Sequence, residues 1–363
     1  MQIRYKVTLL LLLCAVSLQQ SPAQFDTLTV TSNLVLVPAL VKSHRGERIY
    51  TLTAQDFTLL DNGIPQILHL EEETGGDPLA LAVIVQTGGH AAEHLKDYRN
   101  IEPLLDDMIG DVPHTVAVIR FDSAPSLAHT FSTSIPDAAE TIAELDPGDR
   151  GAAILDAIAF GIRQLNALPL RYRRAILLIS ETSDNGSQIS LDSVVRAVGD
   201  SNTTIYSLAF SSTRSDVAHH AKKLPGTTYA ETPYAPGGCM SRTPGADPDA
   251  HGNRAIQGWD CAGDLLPPLR MAEIAFVAVK DKMRRNVPQA LTHLTGGEYF
   301  SFKNANSLAI DMGEIRNDLP NRYLLSFRPT LDSPGPHVLR LQCTGHPNLS
   351  IRARTMYWVN SGK

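Results

Sequence analysis

Few of the features that announce a biochemical activity are present in this 363-residue chain. Positive charge is not in surplus: 32 Lys and Arg stand against 38 Asp and Glu, a net charge of −6. No Lys/Arg patch breaks that balance, which excludes a general affinity for nucleic acid. No Gly-x-Ser-x-Gly elbow follows a strand-like run and no His-Glu-x-x-His occurs, so two familiar hydrolase signatures are missing. Neither a phosphate-loop lysine nor a full dinucleotide glycine pattern is present, and no Cys-x-x-Cys spacing supports zinc. Internal repeats and low-complexity tracts are absent as well. What remains is ordinary globular composition, 43% apolar and 19% charged, with length enough for two or three domains and a sizeable core.

Residues 1–23 read as a signal peptide. Arg4 and Lys6 supply the positive start, Val7 to Leu18 the apolar stretch, and Ser21-Pro22-Ala23 the small residues before a cut after Ala23. That apolar stretch is too short for a comfortable membrane span, so no stable span is expected after cleavage. Export to the periplasm or beyond the cell implies an oxidising setting. Three cysteines remain there. Cys239 and Cys261 bracket a loop rich in Gly, Pro and polar residues, which favours a disulfide between them. Cys343, in a strand-like run, is expected as a buried free thiol.

Residues 24–75 are β-rich. Leu28 to Val41 is full of β-branched and apolar residues, and Ser43-His44-Arg45-Gly46 reads as a hairpin turn. Asp56 to Leu60 runs into a second turn signal, Asp61-Asn62-Gly63, before a strand over Ile67 to Leu70. From Leu79 the pattern changes. Leu79 to Val85 is a continuous apolar run, as in a strand buried on both faces of a parallel sheet. Thr115 to Phe121, Ala175 to Ile179 and Thr203 to Phe210 give further buried strands. Helical periodicity covers His94 to Met108, Pro136 to Leu145, Ala153 to Leu165 and Leu191 to Val198. This order describes an α/β fold, a mainly parallel sheet with helices on both faces.

An insertion at about 211–270 breaks the rhythm, far longer than an ordinary connection. Helices then resume at Met271 to Arg285, Gln289 to Leu294 and Leu308 to Leu319, with Tyr299 to Phe302 as an edge strand. The tail, residues 322–363, returns to strands at Arg322 to Arg328, His337 to Cys343 and Leu349 to Val359. Its β character matches that of residues 24–75, so the two flanks are expected to form one small β-sandwich around an α/β domain of residues 76–321.

Several strings resemble a family of von Willebrand factor A-related proteins of the acidobacterial type. They are LTAQDFTLLDNGIPQ, RRAILLISETSDNGS, LTHLTGGEYFSF, NRYLLSFRP and SIRARTMYWV, in order over essentially the whole mature chain. The resemblance implies a Rossmann-like A domain between β-rich flanks. It also implies the place of a metal-ion-dependent adhesion site, where a first strand ends in Asp-x-Ser-x-Ser, a Thr precedes the central helix and an Asp follows a later strand. Aligned on that pattern, the five positions hold Gln86, Gly88, His90, Ala152 and Glu181. Glu181 alone is a strong oxygen donor, too little for a magnesium ion that needs near-octahedral hard ligands. A degenerate site without metal or other cofactor is therefore expected. A different metal at His90 and Glu181 needs at least one more ligand.

Other features have plainer readings beside the functional ones. Thr87-Gly88-Gly89-His90 suits an anion at a helix N-terminus, or simply a turn. Asp184-Asn185-Gly186-Ser187 is a calcium loop or a turn. His219-His220 is a solvated pair by default. Tyr229, Tyr234 and Trp259 lie among flexible polar residues of the insertion, a mix used in recognition loops but equally in an idle flap. The sequence thus points to an exported, non-enzymatic protein-interaction module, metal-independent, with an unknown protein partner. His90, Glu181, Asp184, Tyr234 and Trp259 are its candidate contacts. A structural scaffold of the cell envelope is the second reading and a hydrolase the third.

Overall fold

The computed structural model describes residues 34–71, 78–210, 268–319, 322–330, 333–346 and 348–360. Its centre follows from the apolar run at 79–86. Strand β5 (Leu79–Gln86) is buried along its whole length. Leu81, Val83 and Val85 face one hydrophobic layer, while Ala80, Ala82 and Ile84 face the other. Period-two alternation with both faces apolar calls for helices above and below. Helices α1 (Glu102–Ile109) and α2 (Ile135–Ala143) cover the first face. The second is covered by α3 (Ile154–Asn166) and α4 (Leu191–Asp200). Later in the chain, α5 (Pro268–Arg285) and α6 (Val287–Thr295) join the second face, and α7 (Ala305–Arg316) joins the first. Each Val, Leu or Ile so buried contributes about 1.5–3 kcal/mol.

Beside β5 lie β6 (His114–Phe121), β7 (Pro125–Ser132), β8 (Arg173–Ser180), β9 (Thr203–Phe210) and β10 (Tyr299–Phe302). They form one six-stranded sheet in the order β10-β9-β8-β5-β6-β7. Every pairing is parallel except β6 with β7. Counted within this sheet the order is 3-2-1-4-5-6, so the connections reverse direction between β5 and β8. At such a reversal a crevice opens beyond the carboxyl ends of the strands.

The remaining strands build two smaller sheets. They are β1 (Val35–Ser43), β2 (Phe57–Asp61), β3 (Ile64–Gln66) and β4 (His69–Leu70) from the N-terminal part. The C-terminal part adds β11 (Tyr323–Phe327), β12 (Gly335–Cys343), β13 (Leu349–Ala353) and β14 (Met356–Val359). Their orders are β13-β1-β11-β4 and β14-β12-β2-β3. Val37, Leu325 and Phe327 of one sheet pack with Leu59, Leu339 and Tyr357 of the other. The two ends of the chain are therefore interleaved strand by strand in a β-sandwich. Between β2 and β3, Asn62 (φ 48°) and Gly63 (φ 82°) both take left-handed backbone, the turn that an Asn-Gly pair favours.

One strand was not foreseen and three expectations need correction. Strand β7 has no apolar run to announce it; it is a half-exposed edge with register shifts against β6. The stretch from His94 to Met108 is not one helix. Two short 3-10 turns, Ala91–Glu93 and Leu95–Tyr98, precede α1, whose first turn holds Pro103. Proline lacks the N–H a continuing helix needs and restrains the residue before it, so a helix starts there instead. Leu349 to Val359 is two strands, because the chain crosses from one sheet to the other at Arg354-Thr355. Arg354 is buried at that corner, donating to the Met356 carbonyl (2.8 Å), Asn202 Oδ1 (2.9 Å) and the Gly199 carbonyl. Finally, Cys343 is half-buried rather than buried. The leader, the pair Cys239 and Cys261, His219-His220, Tyr229, Tyr234 and Trp259 all lie outside the described residues.

Candidate functional site

The crevice between β5 and β8 is formed by the residues at which those strands end. Gln86, the last residue of β5, is fully buried, and Glu181, directly after β8, is 8% exposed. The two lock together. Glu181 N–H donates to Gln86 Oε1 (2.9 Å), which fixes the orientation of the carboxamide. Gln86 Nε2 then donates to Glu181 Oε1 (2.9 Å) and to the Gly88 carbonyl (3.0 Å). His90 Nδ1–H donates to the other carboxylate oxygen, Glu181 Oε2 (3.1 Å), and the imidazole is half-exposed above the crevice. Three of the five sequence-aligned positions, Gln86, His90 and Glu181, thus form one hydrogen-bonded chain.

Gly88 and Ala152 close the floor. A Cβ at Gly88 would lie 2.2 Å from the Gly151 carbonyl oxygen, so the two loops touch through backbone. Ala152 is buried and exchanges both of its backbone hydrogen bonds with Asn185, each 2.8 Å. Two carboxylates that the sequence reading passed over stand beside them. Asp122 follows β6 and accepts from Ala124 N–H (3.2 Å) and Asp149 N–H (3.4 Å). Asp149 is held below the usual carboxylate range by hydrogen bonds from Ser123 and Gly151. The signal for Asp122 was its place directly after a buried strand. Asp149 sits in a loop with no periodicity and gave none.

Asp184 belongs to the same rim but works on the neighbouring helix. Ala153, at the N-cap of α3, has no side-chain oxygen to offer the first turn. Asp184 Oδ1 accepts from Leu155 N–H (3.0 Å) and Ser187 Oγ accepts from Asp156 N–H (3.2 Å); the Ser187 hydroxyl in turn donates to Asp184 (2.6 Å). The Asp156 carboxylate returns the favour, accepting from Gln188 and Ile189 N–H (both 2.9 Å). The 184–187 turn is a remote helix cap, and that use of its oxygens accounts for its composition without calcium.

This donor set does not suit a divalent cation. Both ends of Gln86 and both oxygens of Glu181 are already engaged, and Gly88 and Ala152 bring no side-chain oxygen. Among the described residues no group of three or more His, Cys, Asp or Glu is placed to hold a metal ion. The crevice instead offers hydrogen-bonding groups on a backbone floor, with His90 uppermost.

One Ser, His and Asp set does come together, in the sandwich. His337 Nδ1 meets Asp61 Oδ1 at 2.9 Å, and Tyr357 OH donates to Asp61 Oδ2 at 2.7 Å. His337 Nε2 lies 3.2 Å from Ser333 Oγ but 2.8 Å from the Ser333 carbonyl. The shorter contact requires a proton on Nε2, so this nitrogen is a donor and cannot act as base toward the hydroxyl. A buried hydrogen-bonded group of His337, Asp61 and Tyr357 that holds Ser333 is the better description.

With the order 3-2-1-4-5-6, one antiparallel edge and helices on both faces, the central layer can be placed. It is von Willebrand factor A-like in fold. No family model matches the chain, and no curated protein matches it. Solved structures similar to it include the conserved hypothetical protein BatB from Bacteroides thetaiotaomicron, at 12% identity over 66% of this chain and 99% of that one, TM-score 0.37. An aerotolerance-related membrane protein from Bacteroides fragilis NCTC 9343 is 14% identical over 66% and 98%, TM-score 0.37. The SpRpn10 VWA domain is 13% identical over 37% and 76%, TM-score 0.30. At these scores the overlaps carry nothing about activity or partners. No helix among the described residues is long and apolar enough to cross a membrane.

Proposed function

We propose that the chain is an exported von Willebrand factor A-related protein of the acidobacterial type, with a degenerate adhesion site, that binds another protein without a metal ion. The observation that carries this reading is the Gln86–Glu181–His90 chain. It fills the crevice where a cation would sit, and it leaves the half-exposed imidazole at the mouth. A hydrogen-bonded, preorganised group of this kind loses little freedom when a partner binds. The loop that carries exposed Asp149 and Arg150 lies against the 87–89 turn, Gly89 N–H donating to the Asp149 carbonyl (2.9 Å), so the rim beside His90 is polar. Tyr234 and Trp259 are kept as candidate contacts on their aromatic character in a polar, glycine- and proline-rich segment. The strand-by-strand interleaving of the two chain ends favours a second reading, a scaffold whose α/β layer serves to hold the sandwich.

Retrieval of partners from the native envelope by the mature chain tests the first reading, with His90→Ala and chelator as the two perturbations. A partner retained in chelator and lost in His90→Ala supports it. Loss on chelation overturns metal independence, and equal retention by His90→Ala moves the contact away from the crevice. Recovery of one fixed assembly, whatever happens at His90, favours the scaffold.

A further inference from the structure

Two Asn-Gly pairs occur in the sequence, Asn62-Gly63 and Asn185-Gly186, and the fold treats them in opposite ways. Such a pair is the least hindered place for a chain to attack itself. Glycine brings no side chain to shield its backbone nitrogen, and its backbone turns freely. In the sandwich that attack is blocked. Asn62 is 5% exposed, its Oδ1 accepts from Val338 N–H (2.9 Å), and its own N–H donates to the Val338 carbonyl (2.9 Å). The carboxamide is thereby held against β12 and is not free to turn toward Gly63.

At the rim of the crevice the second pair is open. Asn185 and Gly186 are both exposed. Among the described residues the Asn185 carboxamide has no hydrogen-bond partner, and the Gly186 N–H has no acceptor. A Cβ built on Gly186 would meet nothing within 4 Å, and its φ is 104°, so the peptide that joins the pair has room to swing. Only the bond from Ala152 N–H to the Asn185 carbonyl (2.8 Å) has to yield. We propose that Asn185 is a self-modification site that converts spontaneously to aspartate and isoaspartate, and that the isoaspartate form undoes the cap of α3 and loosens the floor of the crevice.

The chemistry needs only water. The Gly186 nitrogen gives up its proton and bonds to Asn185 Cγ, and the side-chain amide nitrogen leaves as ammonia, so a cyclic succinimide joins the two residues. Water then opens the ring. Cleavage of the new Cγ–N bond gives aspartate with the chain unchanged. Cleavage of the original peptide bond gives isoaspartate, in which the chain runs through Cγ, gains a methylene, and turns the old main-chain carbonyl into a free carboxylate. The surroundings decide the consequence. Asn185 exchanges both backbone hydrogen bonds with Ala152 of the crevice floor, 2.8 Å each. It also stands between Asp184 and Ser187, whose oxygens accept from Leu155 and Asp156 N–H at the start of α3. An added methylene between those two oxygens shifts one against the other, and the carbonyl that accepts from Ala152 is lost.

Timed incubation of the full folded chain in mildly alkaline buffer, followed by peptide mapping with mass spectrometry, tests the proposal. The peptide holding Asn185 should gain the mass of an amide-to-acid exchange and split into aspartate and isoaspartate forms. It should do so at least about tenfold faster than the peptide holding Asn62, whose release breaks two hydrogen bonds. In denatured protein the two should convert at similar rates, so that the difference belongs to the fold. The aged parent should melt a few degrees below the fresh parent, as loss of a helix cap does. Asn185→Ser keeps the backbone bridge but cannot form the ring, so its aged and fresh samples should melt alike. Survival of Asn185 in the folded chain for as long as Asn62 overturns the site. Conversion to isoaspartate with an unchanged melting temperature overturns its effect on α3 and the floor.

Discussion

Gln86 shows how a single amide can substitute for charge. At the carboxyl end of β5 a fully buried carboxylate would need cations or a metal beside it, whereas a carboxamide is neutral and both donates and accepts. Here its acceptor end takes Glu181 N–H and its donor end takes the Glu181 carboxylate. Every strong group in the crevice is thereby satisfied from within the protein. Magnesium or manganese at millimolar concentration should accordingly leave the melting temperature unchanged. A bound ion at a hundredfold excess over its dissociation constant would add about 2.7 kcal/mol, and a saturable rise abolished by Glu181→Ala would refute the point. Cys343 gives a second test at this scale. Burial, with Asp56 nearby, pushes its thiol up to about 11. Reactivity follows the thiolate, so at pH 8 its labelling in the folded protein should be at least about a hundredfold slower than after denaturation. Rapid labelling of Cys343 in the folded protein, identified by peptide mapping, would contradict that placement.

At the scale of elements, helix α3 depends on a turn that is about thirty residues away in sequence. Its first N–H groups are capped by Asp184 and Ser187 rather than by the residue that precedes it. Asp184→Ala should cost about 1 kcal/mol, the usual worth of an N-cap side chain, seen as a lower melting temperature. Asp184→Asn retains the acceptor and should lose much less; equal losses for the two would show that charge, not capping, is what matters. The same helix shows what the sequence disclosed. Its Ala153–Leu165 pattern was legible because burial on one face leaves a 3.6-residue rhythm, and β9 was legible to the residue because it is buried along its whole length and rich in β-branched and apolar residues. Strand β7 was not, since an edge needs no apolar run, and Ser126, His129 and Thr130 look like loop. The break between β13 and β14 was hidden for another reason: both halves are strand-like, and the corner is set by where Arg354 finds acceptors. The crevice was legible at Gln86, Gly88, His90, Ala152 and Glu181 as positions. Their bonding was not, because the Gln86–Glu181 lock joins residues on two strands that are neighbours only after the sheet forms.

For the whole molecule the decisive fact is where the N-terminal strands sit. Strand β1 lies inside its sheet, paired antiparallel with β11 on one side and β13 on the other. Strand β2 is likewise internal, between β12 and β3. Neither is an appendage at an edge. Removing residues 24–71 would take out β1 through β4, strip β11 and β13 of their strand partners, leave β12 paired only with β14, and uncover Leu325, Phe327 and Leu339, all of which are buried. Unpaired strand edges beside apolar faces invite association between chains. Four cationic side chains join the sandwich to Glu298 and Asp318, and truncation would remove Lys42 and Arg48 from that set, leaving buried carboxyls with fewer partners. A chain beginning at residue 72 should therefore aggregate or lose its cooperative thermal transition, in contrast to a domain that carries a separable N-terminal module. Size-exclusion chromatography with thermal unfolding distinguishes the two. If the truncated chain stays monomeric and melts in one unchanged transition, the α/β layer is stable without the sandwich and the interleaving has no part in its folding. If it aggregates, adding the missing strands back as a separate segment should restore a monodisperse species only when both sheets can close.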